Sequence, residues 1–264
     1  MELLPAATHV VRVIANLIGK MLCCAECHVP WNSIVTYTSA LIVGAGSGLS
    51  ASLARVFAKE GISVALAARS AAKLDEFVKA TGAKAYNCDA AKREEVDKLF
   101  ADLDAAGATP DVVVYNASYR TRGPFVDLDP VEVEKSIAIT AYGGFLVAQA
   151  AARRMLAQGR GAILFTGASA SVKGYAQSAP FAMGKFALRG LAQSMARELS
   201  PRGIHVAHFV IDGGIKSARR AESADQPESM LDPDAIASSY MHVLRQPRSA
   251  WTQELELRPW VEKF

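Results

Sequence analysis

Residues 40–50 read Ala40-Leu-Ile-Val-Gly-Ala-Gly-Ser-Gly-Leu-Ser50, an apolar run, then Gly44, Gly46 and Gly48 with Ser47 between them, then Leu49 at the start of a helical stretch. A strand passing through such a turn into a helix leaves the three glycines where backbone amides face outward at a helix N-terminus. Unpaired N–H groups and the helix dipole stabilise a diphosphate there, and side chains would block its approach. Leu49 occupies the last glycine position of the G-x-G-x-x-G pattern, so the motif draws its weight from its place directly after the first strand.

Outward from this turn, apolar runs at 40–43, 63–67, 84–87, 112–115, 162–165, 205–211 and 251–257 alternate with helical stretches at 50–60, 71–79, 93–105, 131–157, 181–199 and 233–245. Continuous apolar strands separated by helices predict an α/β fold, a doubly wound parallel sheet covered on both faces. The chain of 264 residues, 51% hydrophobic, suits one such domain. Residues 39–264 follow this rhythm and residues 1–38 do not. The latter read as an extension with a helix over 8–23, or as an upstream translation artefact. The polar stretch 217–229 follows a strand end and reads as a mobile loop beside a ligand.

The second run ends in Leu66-Ala-Ala-Arg-Ser70, where an acidic residue would hydrogen-bond a free ribose 2′-hydroxyl. No acidic residue is present, and Arg69 sits beside the expected place. A guanidinium favours a 2′-phosphate, which predicts NADP rather than NAD; the alternative is a solvated loop charge. The next two strand ends, Asn87-Cys-Asp89 and Tyr115-Asn-Ala-Ser118, point to the same ligand edge.

With these pieces in place, residues 39–264 resemble the short-chain dehydrogenase/reductase family. The resemblance rests on the Gly44–Gly48 turn, Asp89, Asn116-Ala117, Lys185 followed by Phe186-Ala-Leu, and Pro201-Arg-Gly-Ile-His-Val leading to Ile211-Asp-Gly-Gly-Ile215. It implies a Rossmann domain in which Asp89 meets the adenine and the Asn116 region supports the adenosine. It also implies that Gly213 and Ile215 line the nicotinamide and that Lys185 holds the ribose. A homo-tetramer or homo-dimer packed through helices such as 131–157 and 181–199 is implied as well.

The catalytic positions depart from that family. Its tyrosine stands one helical turn before the lysine, so that the ammonium lowers the phenol pKa and a proton can be transferred. Here that position is Phe181, in Ala179-Pro-Phe-Ala-Met-Gly-Lys185. The serine position falls on Ala168 and the asparagine position on Thr140. Ser169, one residue along, and Tyr175, before the helix, are candidate replacements beside Lys185. The alternative for Tyr175, which the residue type favours, is a loop aromatic packing on the lid.

The expected activity is hydride transfer between NADP(H) and a small-molecule carbonyl/alcohol pair or activated double bond. The alternative is a non-catalytic NADP-binding sensor or subunit partner.

A net charge of +3 without a clustered basic patch argues against nucleic acid. Cys23, Cys24 and Cys27 lie together and Cys88 stands apart, which is no disulfide framework and suggests a reducing, cytoplasmic setting. The apolar stretch 10–24 is interrupted by Arg12, Asn16 and Lys20, as neither a membrane span nor a secretory signal would be. Cys24-Ala-Glu-Cys27-His28 matches a c-type haem attachment pattern, but that chemistry follows export, and a metal site there lacks ligands. No metal is expected.

Overall fold

The structure is a computed structural model that describes residues 34–217, 220–222 and 224–262. The expectations for the cysteine-rich segment and for a helix over 8–23 fall outside the described residues.

From the amino end, β1 (Ser39–Val43), α1 (Leu49–Lys59), β2 (Ser63–Ala68), α2 (Asp75–Thr81), β3 (Lys84–Asn87), α3 (Arg93–Ala105) and β4 (Val112–Tyr115) form the first half. The second half holds α4 (Pro130–Ile137), α5 (Gly143–Gln158), β5 (Gly161–Thr166), α6 (Ala179–Leu199) and β6 (Ile204–Ile211). The short strands β7 (Gly214–Ile215) and β8 (Met230–Leu231) follow, then α7 (Pro233–Leu244) and β9 (Glu254–Leu257).

The main sheet has seven parallel strands in the order β3-β2-β1-β4-β5-β6-β9. Every residue of β4, β5 and β6 is buried, as expected of strands covered on both faces. Alternation along β1 sends Leu41 and Val43 to a core with Tyr115, Phe165 and Leu188, and Ala40 and Ile42 to a second core with Phe57, Phe209 and Tyr240. Each fully buried side chain of this size contributes roughly 1.5–3 kcal/mol. The order reverses between β1 and β4, and a crevice opens there at the carboxyl ends of the strands.

Four details differ from the sequence reading, the first being that the helical stretch read over 71–79 is a 3-10 turn at Ala71–Leu74 followed by α2. The stretch read as one helix over 131–157 is α4 and α5 joined by a π turn at Ala138–Tyr142. Strand β9 begins at Glu254, because Trp251 instead stacks on His205 with ring centroids 4.6 Å apart. The loop read as 217–229 is closed at its base by β7 pairing with β8. Ahead of β1, Tyr37 is buried and Thr38 donates through its backbone N and its Oγ1 to Asp111 Oδ2, each at 2.8 Å.

Candidate active site

Two cavities follow the crevice in sequence. The first, about 230 Å³, is walled by Gly44, Arg69, Asp89, Asn116 and Ala117. Gly44 has φ +84°, and a Cβ there would lie 2.4 Å from the Ala117 backbone nitrogen, so the turn and the β4 end approach as closely as glycine alone permits. The amides of Gly44 and Ala45 both donate to the Ala67 carbonyl, at 2.9 and 3.0 Å. Asn116 completes the turn: its backbone donates to Val43 O at 2.8 Å and its Nδ2 to Ser50 Oγ at 2.7 Å, while Ser50 Oγ reaches Gly44 O at 3.2 Å.

The amino end of α1 is left open. Its cap residue, Gly48, has no side chain to bond the first amides, and no acidic residue lies in the first turn. A Cβ built at Gly46 or Gly48 meets nothing within 4 Å, so nothing in the protein itself requires glycine for space there. Ser47 is exposed between them and Leu49 is buried beneath. The arrangement fits a bound anion that needs bare backbone. Arg69 is exposed in the wall of the first cavity, and no acidic residue follows β2 at that point.

The second cavity, about 560 Å³, is contiguous with the first through Asn116 and Ser118. Its wall brings together Ser169, Tyr175, Phe181, Lys185, Gly213 and Ile215, drawn from segments up to 46 residues apart. Lys185 is 3% exposed and donates to the Thr166 carbonyl at 2.6 Å; burial pushes its ammonium down to about 7. Arg189, one turn further along α6, forms two hydrogen bonds to Glu254 of β9, at 2.7 and 2.6 Å, and these fix the helix that carries Lys185. His208 Nδ1 also donates to Glu254, at 3.1 Å. Burial lowers that imidazole to about 4, so the contact is a hydrogen bond from a neutral ring rather than an ion pair.

The neighbouring serines separate by environment. Ser171 is fully buried and its Oγ accepts from the Ala168 amide at 3.1 Å, whereas Ser169 is half-buried in the cavity wall. Thr140 is fully buried in the π turn, where its Oγ1 accepts from the Tyr119 amide at 3.2 Å. Its Cβ would be 2.8 Å from a Cβ on Gly184, so this residue packs against the helix beside Lys185. Gly213, at φ +149° and with Pro259 Cδ only 2.8 Å from a would-be Cβ, answers to packing as well as to its place in the wall.

Three arginines at this end escaped the sequence reading. Arg120 lies over the Phe181 ring, 4.6 Å from its centroid, with Lys185 Nζ 5.6 Å from the same centroid. Arg120, Arg122 and Arg220 line a third cavity of about 600 Å³, which shares Ser169, Tyr175 and Gly213 with the second. The signal for two of them was present in Tyr119-Arg-Thr-Arg122, directly after a strand end at the ligand edge. Arg220 is a hundred residues away and is brought in by the loop between β7 and β8.

A larger cleft of about 1000 Å³ opens at the amino ends of the strands, walled in part by Gly61, Gly107 and Asp111. It contains none of the residues above and lies opposite the edge where open α/β sheets hold ligands.

A family model described as short chain dehydrogenase matches residues 38–228. The chain belongs to this family. An uncharacterised oxidoreductase of Staphylococcus aureus is 26% identical over 230 residues, covering 86% of this chain and 99% of that protein. A crystal structure of a short-chain dehydrogenase from Rhodopseudomonas palustris is 36% identical with a TM-score of 0.73, over 84% of this chain and 99% of that one. An alcohol dehydrogenase from Thermococcus sibiricus, solved with 5-hydroxy-NADP, is 24% identical with a TM-score of 0.75, over 86% and 98% of the two chains. As in other short-chain dehydrogenases, the crevice residues here are carried by a Rossmann-type sheet.

Among the described residues no group of three or more His, Cys, Asp or Glu side chains is placed to hold a metal ion. No described helix is long and apolar enough to cross a membrane.

Proposed function

We propose that the protein is an NADP-dependent oxidoreductase, moving a hydride between NADP(H) and a carbonyl/alcohol pair or an activated double bond. The observation that carries this reading is the open, uncapped end of α1, where Gly48 and Leu49 line the second cavity and the neighbouring first cavity holds Gly44, Ala45 and Arg69 with no acid after β2. The backbone of Gly46, Ser47, Gly48 and Leu49 would hold the diphosphate, and Arg69 the 2′-phosphate. Asp89, Asn116 and Ala117 would flank the adenosine. Gly213 and Ile215 would flank the nicotinamide, which supplies or takes the hydride when bound.

Lys185 would bond the nicotinamide ribose hydroxyls, a task that does not need a tyrosine beside it. Phe181 carries no exchangeable proton, so the proton must come from another group in the same wall. Ser169 would polarise the substrate oxygen, and the Tyr175 hydroxyl would hand a proton to it as the hydride arrives at carbon. With no phenol held against the lysine, turnover is expected to be weak. The decisive measurement is NADPH fluorescence titrated with protein, followed by a carbonyl and enoyl substrate screen. Unchanged emission at excess protein overturns the reading.

A second reading, a non-catalytic NADP-binding sensor or subunit partner, draws on Phe181 having both Arg120 and Lys185 over its ring and on Thr140 being buried. Substrate turnover that disappears in Lys185→Ala would count against it.

A homo-dimer or homo-tetramer accords with the apolar side chains left exposed on α4 to α6, among them Tyr142 and Phe145, whose rings stack at 6.2 Å, with Met183 and Phe186. The reading includes neither nucleic acid nor membrane as a partner, and a cytoplasmic setting.

A further inference from the structure

We propose that the substrate of this site carries a carboxylate or phosphate group, held by Arg120, Arg122 and Arg220 in the cavity beside Ser169 and Tyr175. The inference rests on the oxidoreductase reading and adds the substrate's charge to it.

Arginine side chains gathered in one wall repel one another unless something between them is negative. Here three guanidiniums line one cavity, and among the described residues none of the three is ion-paired. Two of the carboxylates in that wall are already engaged. Asp212 lies 3.7 Å from Lys173 and 3.3 Å from Arg258, and Glu222 lies 3.0 Å from Lys216. Glu262 is left against three arginines.

Arg120 is the best positioned of them. Its side chain rests on the Phe181 ring and reaches Ser178 Oγ, a buried hydroxyl, at 3.5 Å. It is exposed at the cavity, and partial burial, then the charges of Arg122 and Arg220, depress its pKa from the usual arginine value. The Phe181 ring is a flat apolar support for this guanidinium.

The cavity of Arg122 and Arg220 adjoins the cavity of Ser169, Tyr175 and Lys185, and Ser169, Tyr175, Gly213, Arg120 and Arg220 belong to both walls. An anionic group in the outer cavity therefore leaves the reacting carbon of the same small molecule in the inner one. Guanidiniums bind carboxylate and phosphate alike through paired N–H donors, so the two sources share one recognition chemistry.

The test is calorimetric titration of protein saturated with NADP⁺, in which no carbonyl is reduced. The probes are 2-oxoglutarate and its neutral dimethyl ester, and dihydroxyacetone phosphate and neutral dihydroxyacetone. At least one anion should bind about tenfold or more tightly than its neutral counterpart, because hydrogen bonds to charged groups outweigh neutral ones by about that much. The acid arm and the phosphate arm decide which group the site takes. The preference should shrink as salt rises and fall about tenfold in Arg122→Gln and in Arg220→Gln, and Arg122→Gln, which alters the outer wall alone, should leave NADP⁺ affinity unchanged.

Equal binding of anion and neutral probe, no binding by any probe at millimolar concentration, or a preference that survives both substitutions would each overturn the proposal. NADP⁺ affinity is measured first in the wild type. Its absence would strike the cofactor reading, whereas intact NADP⁺ binding without anion preference strikes only the substrate inference.

Discussion

Around Gly44 the recognition surface is main chain: two amides fall on one carbonyl of β2, Asn116 ties β4 to the helix start, and glycines leave the amides bare. Some 140 residues later, around Phe181, the surface is side chain, and the proposed function puts Phe181, Ala168 and Thr140 at three of the four positions that would carry the family's chemistry. Backbone geometry is enforced by strand register and core packing, so it persists as long as the fold does. A hydroxyl is enforced by nothing in the fold, and replacing it leaves packing nearly intact. On the proposed reading, one scaffold would keep a cofactor cradle while its proton-transfer groups differ.

The sharpest way to break that contrast is Phe181→Tyr. If the chemical end lacks only its acid, carbonyl reduction measured by NADPH oxidation should rise by about 10²–10⁴-fold. An unchanged rate would show that Ser169 and Tyr175 already supply the proton, or that Arg120 blocks the hydroxyl.

Gly44→Ala attacks the other end. A methyl at φ +84° meets the Ala117 backbone, which combines strain with overpacking and should cost about 2–5 kcal/mol, read as a fall in thermal midpoint together with lost NADPH binding. A variant of wild-type stability would show that the turn relaxes.

Lys185→Met tests whether the ends are coupled through one buried charge. The folded-state pKa of about 7 lies below the ordinary value, so the unfolded chain binds more protons between pH 7 and about 10.5, and the wild type gains stability as pH rises through that window. Below about pH 7 the folded protein bears the full cost of a buried ammonium. Without cofactor, the methionine variant should therefore be more stable by about 1–3 kcal/mol at pH 6.5 after loss of the bond to Thr166, with the advantage fading toward pH 10. NADPH affinity should fall. Equal stability of both proteins across that range would refute the buried-charge account.

Arg69→Gln has the smallest expected effect, about tenfold weaker NADPH binding with NADH unchanged, because the side chain is exposed and screened. Equal loss for both nucleotides would remove the NADP preference.

The strands were legible because β1, β4, β5 and β6 are short and mainly apolar, interrupted in β6 only by His205 and His208, and runs of four to eight residues are too short for a buried helix. The π turn was not, since one inserted residue changes hydrogen bonding without changing composition, and 138–142 reads as ordinary helix. Trp251 was drawn into β9 by its β propensity, whereas its partner, His205, is 46 residues distant.

By itself the sequence determined the parallel sheet, the glycine turn and the absence of a phenol at position 181, since each follows from local residue type and order. Tertiary structure decided what surrounds that position: Ser171 buried as a cap, Ser169 in the cavity wall, Lys185 desolvated and Arg120 resting on Phe181. These depend on which distant segments the sheet brings together. Burial and charge proximity are properties of the packed assembly, and no local stretch of sequence encodes them.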